Sequence, residues 1–193
     1  MGRPKQALAL RAAHQDARPE SLLRHATRAA VESGMRPIVV VLGADAESLA
    51  TQLTSLPVHV VAHSEWDRGI GSSLKAGVES VTALAPALDG IIVTVCDQPH
   101  LSPAVLTRLG RTYRGSEALI VASAYGGTAG VPALFDRSVF AELRALGDRD
   151  GARRLIALDP ERTITVPFPL GAVDLDTPEE YEAYVSGEQR TAR

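Results

Sequence analysis

The sequence has little of several features that define a protein class by themselves. It has one cysteine, Cys96, so no internal disulfide can form, and its five histidines form no cluster with zinc-ligand spacing. Its apolar runs are far shorter than the roughly 20 residues of a membrane-spanning helix. The net charge is -3 and no run of Lys and Arg appears, which argues against nucleic acid. We therefore expect a cytoplasmic protein that binds neither membrane nor nucleic acid.

Hydrophobic residues make up 45% of the 193-residue chain, enough for one substantial core. We expect a single domain over residues 1–193, in which residues 186–193 form a disordered tail. Short β-branched runs alternate with longer stretches of helical periodicity. This alternation predicts an α/β fold with a mostly parallel sheet and helices on both faces.

Glycine and proline mark several predicted element boundaries. A first helix is expected from about Pro19 to Gly34, a glycine that suits the left-handed position after a helix. The run Gly90–Val95 is apolar at consecutive positions, which predicts a central strand buried on both faces. The stretch Gly126–Gly130 is predicted to be a loop that either lines a pocket or simply connects two elements, and a last helix is predicted from Pro178.

Asp97 directly follows the predicted central strand, within the segment Val95–Pro99. Ligand sites in open α/β sheets lie beyond the carboxyl ends of the strands, so this carboxylate is expected to face the crevice. The alternative is that Asp97 only forms a turn or caps a helix. We interpret Asp97 as a candidate metal ligand and catalytic residue.

A second acidic segment lies near the end of the chain. Asp174 and Asp176 alternate along an extended stretch before the last helix, so their side chains are expected to point the same way. Carboxylate oxygens are preferred ligands of Mg²⁺, which needs few of them from the protein. Both residues are candidate metal ligands, with the alternative that Asp176 or Thr177 simply caps the helix.

The segment Gly69–Gly77 leads from a glycine- and serine-rich loop into a helix. Free backbone N–H groups and hydroxyls at Gly71, Ser72 and Ser73 suit an anion or the edge of a base. The segment is not a dinucleotide-binding fingerprint, because Leu74 stands where the third glycine belongs. A purely structural turn is the alternative.

Two cations stand at the N-terminus, within Gly2–Lys5. Arg3 offers forked contacts to a phosphate, and Lys5 offers a point charge. The alternative is that this basic end is solvated and binds nothing.

In this order, the motifs resemble those of the molybdenum-cofactor nucleotidyltransferases, in particular the cytidylyltransferases of the MobA-like NTP transferase family. The resemblance runs from Gly2 to about Tyr184. The segments that carry it are Gly2–Gln6, Val41–Ala44, Trp66–Gly77, Cys96–Pro99, Gly130–Phe135, Gly147–Arg153 and Asp174–Glu179. The set is specific as a whole, although no single segment is.

The resemblance implies a Rossmann-like, three-layer nucleotidyltransferase fold that transfers CMP from CTP to the phosphate of the molybdenum cofactor, with Mg²⁺ and release of pyrophosphate. It assigns Lys5 to the nucleotide phosphates and the serines of the 69–77 loop to the base and ribose. It assigns the metal to Asp97 together with the 174–176 segment. CTP and the molybdenum cofactor are then the substrates, and a molybdenum enzyme is the expected acceptor protein. Such a transfer needs positioning and charge neutralisation more than a covalent nucleophile.

Members of this family begin with a strand and a glycine-rich loop directly ahead of the segment that corresponds to Gly2–Lys5. Here Met1 stands where that loop should end, so the first strand and the phosphate loop are missing from the expected fold. We expect that the natural protein starts upstream of Met1, with lost catalysis as the alternative. Other functions consistent with the motifs are a guanylyl- or other nucleotidyltransferase of the same fold, or a non-catalytic cofactor-binding maturation protein.

Overall fold

The computed structural model describes residues 5–10, 20–173, 175 and 178–186. The α-helices are α1 (Leu22–Glu32), α2 (Ala46–Thr51), α3 (Ile70–Leu84), α4 (Pro103–Arg114), α5 (Phe140–Ala145), α6 (Ala152–Leu158) and α7 (Pro178–Ser186). The strands are β1 (Val39–Leu42), β2 (His59–Ala62), β3 (Gly90–Val93), β4 (Ile120–Tyr125), β5 (Thr128–Asp136) and β6 (Thr163–Pro167). Short 3-10 helices cover Lys5–Ala7, Trp66–Arg68, Arg137–Val139 and Pro169–Ala172. No helix within the described ranges is long and apolar enough to cross a membrane.

The strands form two sheets. β1 and β2 pair in parallel, with Val39 opposite His59 and Leu42 opposite Ala62. The larger sheet has the order β3-β5-β4-β6, in which β4 and β6 are parallel and β5 is antiparallel to both of its neighbours. All strands of this sheet except β5 therefore run in the same direction, in agreement with the predicted α/β fold.

Helices cover the larger sheet on both faces. Ile120 and Phe135 point to one face, where they pack with α3, α5 and α6. Val121 and Leu134, their neighbours along β4 and β5, point to the other face and pack with α1 and α4. Successive residues of a strand point to opposite faces of its sheet. The predicted three-layer arrangement is therefore confirmed.

α1 and α3 connect the two sheets from opposite sides. Leu23 of α1 packs with Leu42 of β1, while Ala26, less than a turn further on, packs with the core of the larger sheet. Gly77 of α3 lies so close to β1 that a Cβ on this glycine would be 3.2 Å from Val41 Cγ2. Both helices therefore lie across the boundary between the sheets and hold them in one layered core.

The predicted helix limits lie close to the observed ones. α1 begins at Leu22 because Ser21 caps it, accepting a hydrogen bond from the backbone N–H of Arg24 at 3.2 Å. It ends shortly before Gly34, which has a φ of 79°. α7 begins at Pro178, as predicted, and includes residue 186. The rest of the predicted tail, residues 187–193, lies outside the described residues.

The predicted loop over Gly126–Gly130 is instead part of a β-hairpin, so that prediction is wrong. Gly126 and Gly127 have φ angles of 55° and 72° and form a two-residue turn between β4 and β5. β5 begins directly after them, at Thr128. The turn glycines are followed by more glycine and by proline, and this composition is typical of loops.

A bulge allows β5 to contain a proline. On the β5 side the register moves from Ala133 to Gly130 while β4 advances by one residue, which leaves Val131 and Pro132 without ladder partners in β4. Proline has no N–H to donate and is tolerated in sheets at such irregularities. Ser123 donates its hydroxyl to the Pro132 carbonyl at 2.7 Å and so satisfies one acceptor that the bulge exposes.

β3 is shorter and less central than predicted. It covers Gly90–Val93 instead of Gly90–Val95, and within the described residues it pairs only with β5. Its consecutive apolar residues reflect the helices on both faces of the sheet, and they do not require strands on both sides. Thr94 and Val95 therefore already lie beyond the carboxyl end of the strand, where the candidate site begins.

Candidate functional site

Asp97 lies beyond the carboxyl end of β3 and is half-buried. Its backbone carbonyl accepts a hydrogen bond from the N–H of Leu175 at 3.2 Å. Leu175 is 1% exposed and belongs to a hydrophobic cluster with Leu10 and other residues, which fixes this part of the acidic segment beside Asp97. Asp174 and Asp176, the other predicted metal ligands, lie outside the described residues.

The same cluster anchors the N-terminal segment. Leu10 is buried in it, and Tyr181 of α7 donates its hydroxyl to the carbonyl of Ala9 at 2.7 Å. The backbone of Lys5 begins the 3-10 helix just ahead of this segment, while Arg3 lies outside the described residues. The chain that carries Lys5 is thus held by the cluster that also holds the acidic segment against Asp97.

Gln98, the neighbour of Asp97, is only 2% exposed and uses its amide as a double donor. Its Nε2 donates to the carbonyls of Val131 and Gly171 at 3.1 and 3.0 Å. These bonds fix the turn that carries Asp97 to β5 and to the 3-10 helix near the C-terminus. Gln98 Oε1 has no hydrogen-bond partner in the part of the chain that the structure describes. The sequence interpretation gave Gln98 no role, because nothing in the motif shows that its amide is buried.

The start of α3 lies directly against the loop that connects α5 and α6. The backbone N–H groups of Gly71 and Ser72 donate to the Asp148 carbonyl at 2.7 and 3.2 Å. A Cβ on Gly71 would lie 2.1 Å from the Gly147 carbonyl oxygen, so only glycine permits this approach. The two N–H groups expected to be free for an anion or a base therefore donate within the protein.

The serines of this loop differ in their surroundings. Ser72 is 6% exposed, and its Oγ lies 3.0 Å from His63 Nε2 and 2.8 Å from the carbonyl oxygen of Gly69. The hydroxyl therefore donates to a carbonyl and accepts from the half-buried imidazole, and these bonds stabilise the start of α3 instead of providing a nucleophile. Ser73 is half-buried, and no hydrogen bond of its hydroxyl is found among the described residues.

The Asp148 carboxylate forms ion pairs with two cationic side chains near the start of α3. Its Oδ1 accepts a hydrogen bond from Lys75 Nζ at 2.8 Å, and its Oδ2 accepts from Arg68 Nη2 and Nε at 2.7 and 3.0 Å. The hydrogen bond from Lys75, followed by those from Arg68, holds the pKa of Asp148 below its usual range. The sequence interpretation missed this contact because Lys75 and Asp148 are 73 residues apart and only the fold brings them together.

A metal site at Asp97 depends on the acidic segment beside it. Within the described residues, no group of three or more His, Cys, Asp and Glu side chains is arranged to hold a metal ion. Asp97 is the one predicted ligand among those residues. Leu175, which lies between the predicted ligands Asp174 and Asp176 in the sequence, is hydrogen-bonded to the backbone of Asp97. A set of carboxylates suits hard divalent cations such as Mg²⁺ and Mn²⁺, so the donor chemistry fits.

Known proteins resemble this chain in sequence. Residues 1–164 match the family described as the MobA-like NTP transferase domain. Nicotine blue oxidoreductase of Paenarthrobacter nicotinovorans is 32% identical over 97 residues, which are 50% of this chain and 46% of that protein. The match thus spans about half the length of that relative.

Solved structures resemble the chain over nearly its whole length. Rv0371c from Mycobacterium tuberculosis H37Rv has a TM-score of 0.76 and 25% identity, covering 96% of this chain and 91% of that one. The same protein in complex with manganese has a TM-score of 0.71 and 25% identity, covering 95% and 91%. A nucleotidyl transferase from Methanothermobacter thermautotroptrophicus has a TM-score of 0.75 and 21% identity, covering 97% and 86%. These similarities confirm the α/β nucleotidyltransferase fold.

Proposed function

Because the chain belongs to the MobA-like NTP transferase domain family, it is a nucleotidyltransferase by family, and we propose that its substrates are CTP and the molybdenum cofactor. A phosphate oxygen of the cofactor attacks the α-phosphorus of CTP. The bond between that phosphorus and the oxygen bridging to the β-phosphate breaks. CMP becomes joined to the cofactor, pyrophosphate leaves, and a molybdenum enzyme receives the product.

The observation that carries this proposal is the 3.2 Å hydrogen bond between the Leu175 N–H and the Asp97 carbonyl. It joins two acidic segments, distant in sequence, at the carboxyl end of a strand, where open α/β sheets bind ligands. Asp97, Asp174 and Asp176 are the proposed ligands of Mg²⁺. When bound there, Mg²⁺ supplies neutralisation of the triphosphate charge. The manganese complex of Rv0371c supports the use of a divalent cation.

The proposed nucleotide contacts are of two kinds: cationic side chains that contact the phosphates, and residues at the start of α3 that shape the binding surface. Arg3 and Lys5 would contact the phosphates, with Lys5 also acting catalytically by stabilising charge that develops during the transfer. Ser73 is the better candidate of the two serines for a hydroxyl contact, because the Ser72 hydroxyl already bonds within the loop. Gly71 and Ser72 contribute by setting the shape of the nucleotide-binding loop.

The experiment that tests this proposal is pyrophosphate release with CTP, GTP or ATP, each with molybdenum cofactor and Mg²⁺. We expect release with CTP, and none when the cofactor or the metal is left out. Preference for GTP would replace the cytidylyl assignment by the guanylyl alternative. Binding of the cofactor without pyrophosphate release from any nucleotide would instead support a maturation protein.

A second candidate is an oxidoreductase, and the 32% identity with Nicotine blue oxidoreductase favours it. An oxidoreductase would transfer electrons between a donor and an acceptor such as nicotine blue, and it would release no pyrophosphate. The discriminating assay follows NADH and NADPH oxidation by absorbance with nicotine blue as the acceptor. Protein-dependent oxidation without pyrophosphate release would favour the second candidate over the first.

A further inference from the structure

Trp66 lies at the carboxyl edge of the smaller sheet, in the 3-10 helix that follows β2. Its side chain rests on Gly43, the first residue after β1. A Cβ built on Gly43 would lie 2.6 Å from Trp66 Cβ and 2.7 Å from Trp66 Cγ, so the indole occupies space that only a glycine leaves open. Despite this seat, Trp66 is 46% exposed.

Ile70, the first residue of α3, is a second large apolar side chain at this edge. It is 57% exposed, and its Cγ2 would lie 3.7 Å from a Cβ on Gly151. Trp66 and Ile70 stand on either side of Gly69, whose φ of 130° turns the chain into α3. The chain that leads into Ser72 and Ser73, in the first turn of α3, therefore carries two exposed apolar side chains.

Packing against Gly43 does not explain why the Trp66 side chain remains 46% exposed beside the candidate site. The contact with Gly43 involves Trp66 Cβ and Cγ and the ring carbon Cδ2, which would lie 3.2 Å from a Cβ at that glycine. Trp66 and Ile70 together leave apolar surface in water at this edge, and neighbouring exposed apolar side chains of this kind are typical of ligand-binding grooves. Indole faces stack well on flat aromatic rings, and every nucleobase has such a ring.

We propose that Trp66 stacks against the flat heteroaromatic ring of a phosphate-bearing substrate. This inference rests on the proposed function, because it takes the substrate to bind beside Ser73 at the start of α3. Arg68 and Lys75 lie in the preceding 3-10 helix and in α3, but both pair with Asp148, so the phosphates of the substrate are left to the proposed contacts of Arg3, Lys5 and the metal. The ring is that of the nucleobase or of the pterin, which share this chemistry.

Fluorescence tests the stacking directly, because Trp66 is the only tryptophan in the chain. The whole protein is titrated with CTP and Mg²⁺, cytidine monophosphate, a pterin monophosphate, or inorganic tripolyphosphate, which has no ring. We expect saturable quenching by a ring-bearing ligand and none by tripolyphosphate. Quenching by the cytidine compounds indicates that Trp66 stacks on the nucleobase, and quenching by the pterin indicates that it stacks on the acceptor. Binding detected by calorimetry without any change in Trp66 emission would overturn the inference.

Four variants separate stacking from a structural role. Trp66→Ala should weaken binding of the quenching ligand by about 5- to 150-fold, and Trp66→Phe should restore most of the affinity. Gly43→Ala should weaken it similarly, because the added methyl group displaces the indole without removing it. Leu158→Ala is the matched control, since Leu158 is 68% exposed and lies at the end of α6. A Trp66→Ala variant that melts earlier but binds with unchanged affinity would show that the residue only packs.

The outcomes also separate this inference from the proposed function. If CTP is turned over equally well by the wild type and by Trp66→Ala, the stacking inference fails and the transferase proposal stands. If CTP neither binds nor reacts while the pterin quenches Trp66 in the wild type, the stacking inference stands and the cytidylyl proposal fails.

Discussion

Replacing Gln98 by glutamate tests whether the turn that carries Asp97 is held by a buried donor. The change keeps the shape but replaces the amide nitrogen that donates to Val131 and Gly171. A neutral acid retains one O–H donor, and the Val131 carbonyl still accepts from the Tyr125 hydroxyl at 2.7 Å. In acid the variant therefore loses one hydrogen bond, worth about 0.5–1.5 kcal/mol.

Near neutral pH the cost becomes much larger. An ionised carboxylate at this position would face two carbonyl oxygens without a donor, so burial raises the pKa of the introduced glutamate well above its usual value of about 4.3. A group whose pKa is raised by folding stabilises the fold below its unfolded pKa and loses that contribution as pH rises. From about 4.3 to pH 7 the loss is roughly 2.7 units, or about 3.7 kcal/mol at about 1.36 kcal/mol per unit.

The measurement is the free energy of unfolding in urea, for the wild type and Gln98→Glu, at about pH 4 and about pH 7. We expect the deficit of the variant to grow from about 1 to about 4–5 kcal/mol over this range. Gln52→Glu is the matched control, because the Gln52 side chain accepts a hydrogen bond from Ser21, which a carboxylate also does. A deficit that is independent of pH, or equal in the two variants, would refute the assignment of Gln98 as a buried double donor.

Three further predictions concern the surroundings of the site and the larger sheet. Gly71→Ala should destabilise the fold by about 1–3 kcal/mol in urea unfolding, because its Cβ would press on the Gly147 carbonyl; an unchanged midpoint would contradict the close approach. In a carbon NMR titration, the Asp148 carboxyl should have its midpoint below 3.8, because its ion pairs with Lys75 and Arg68 lower its pKa. These ion pairs are lost only as pH falls through the lowered pKa, and a midpoint at or above 3.8 would contradict this. The hydrogen bond to Asp136 raises the pKa of Tyr113 to about 12, so one of the four tyrosines should ionise late in an absorbance titration. The stabilising effect of this hydrogen bond is present below pH 10 and is lost as pH rises through about 12. Tyr113→Phe should abolish the late ionisation step.

Elements with a strong local signal were predictable from the sequence. Gly34 follows the end of α1 as predicted, whereas the predicted start near Pro19 lies three residues before the observed start at Leu22, which Ser21 caps. The same reasoning failed at β5, where Gly130 and Pro132 have the composition of a loop. Pairing with β3 and β4 outweighs this local preference, and the bulge removes the need for an N–H at the proline.

The candidate site was predictable to the extent that it follows the rule for strand ends. Asp97 was located from its position after an apolar run, and the acidic segment from its carboxylates; the structure brings Leu175 of that segment to Asp97. The role of either group as a metal ligand stays a prediction. The contact between Asp148 and the start of α3 had no local signal, because it depends on how α5 packs beside that helix.

The most direct test of the account is steady-state pyrophosphate release by Asp97→Asn and Asp89→Asn. Both variants exchange a carboxylate for an amide next to β3, but Asp89 is exposed and lies at the opposite end of the strand. Loss of a direct metal ligand should cost more than the roughly 10–100-fold lost on mutating a residue that only hydrogen-bonds to a metal ligand, with little change in melting temperature. We therefore predict that Asp97→Asn nearly abolishes release while Asp89→Asn retains wild-type activity. Equal activity of the two folded variants at ordinary Mg²⁺ concentrations would contradict the assignment of Asp97 as a ligand of the catalytic metal.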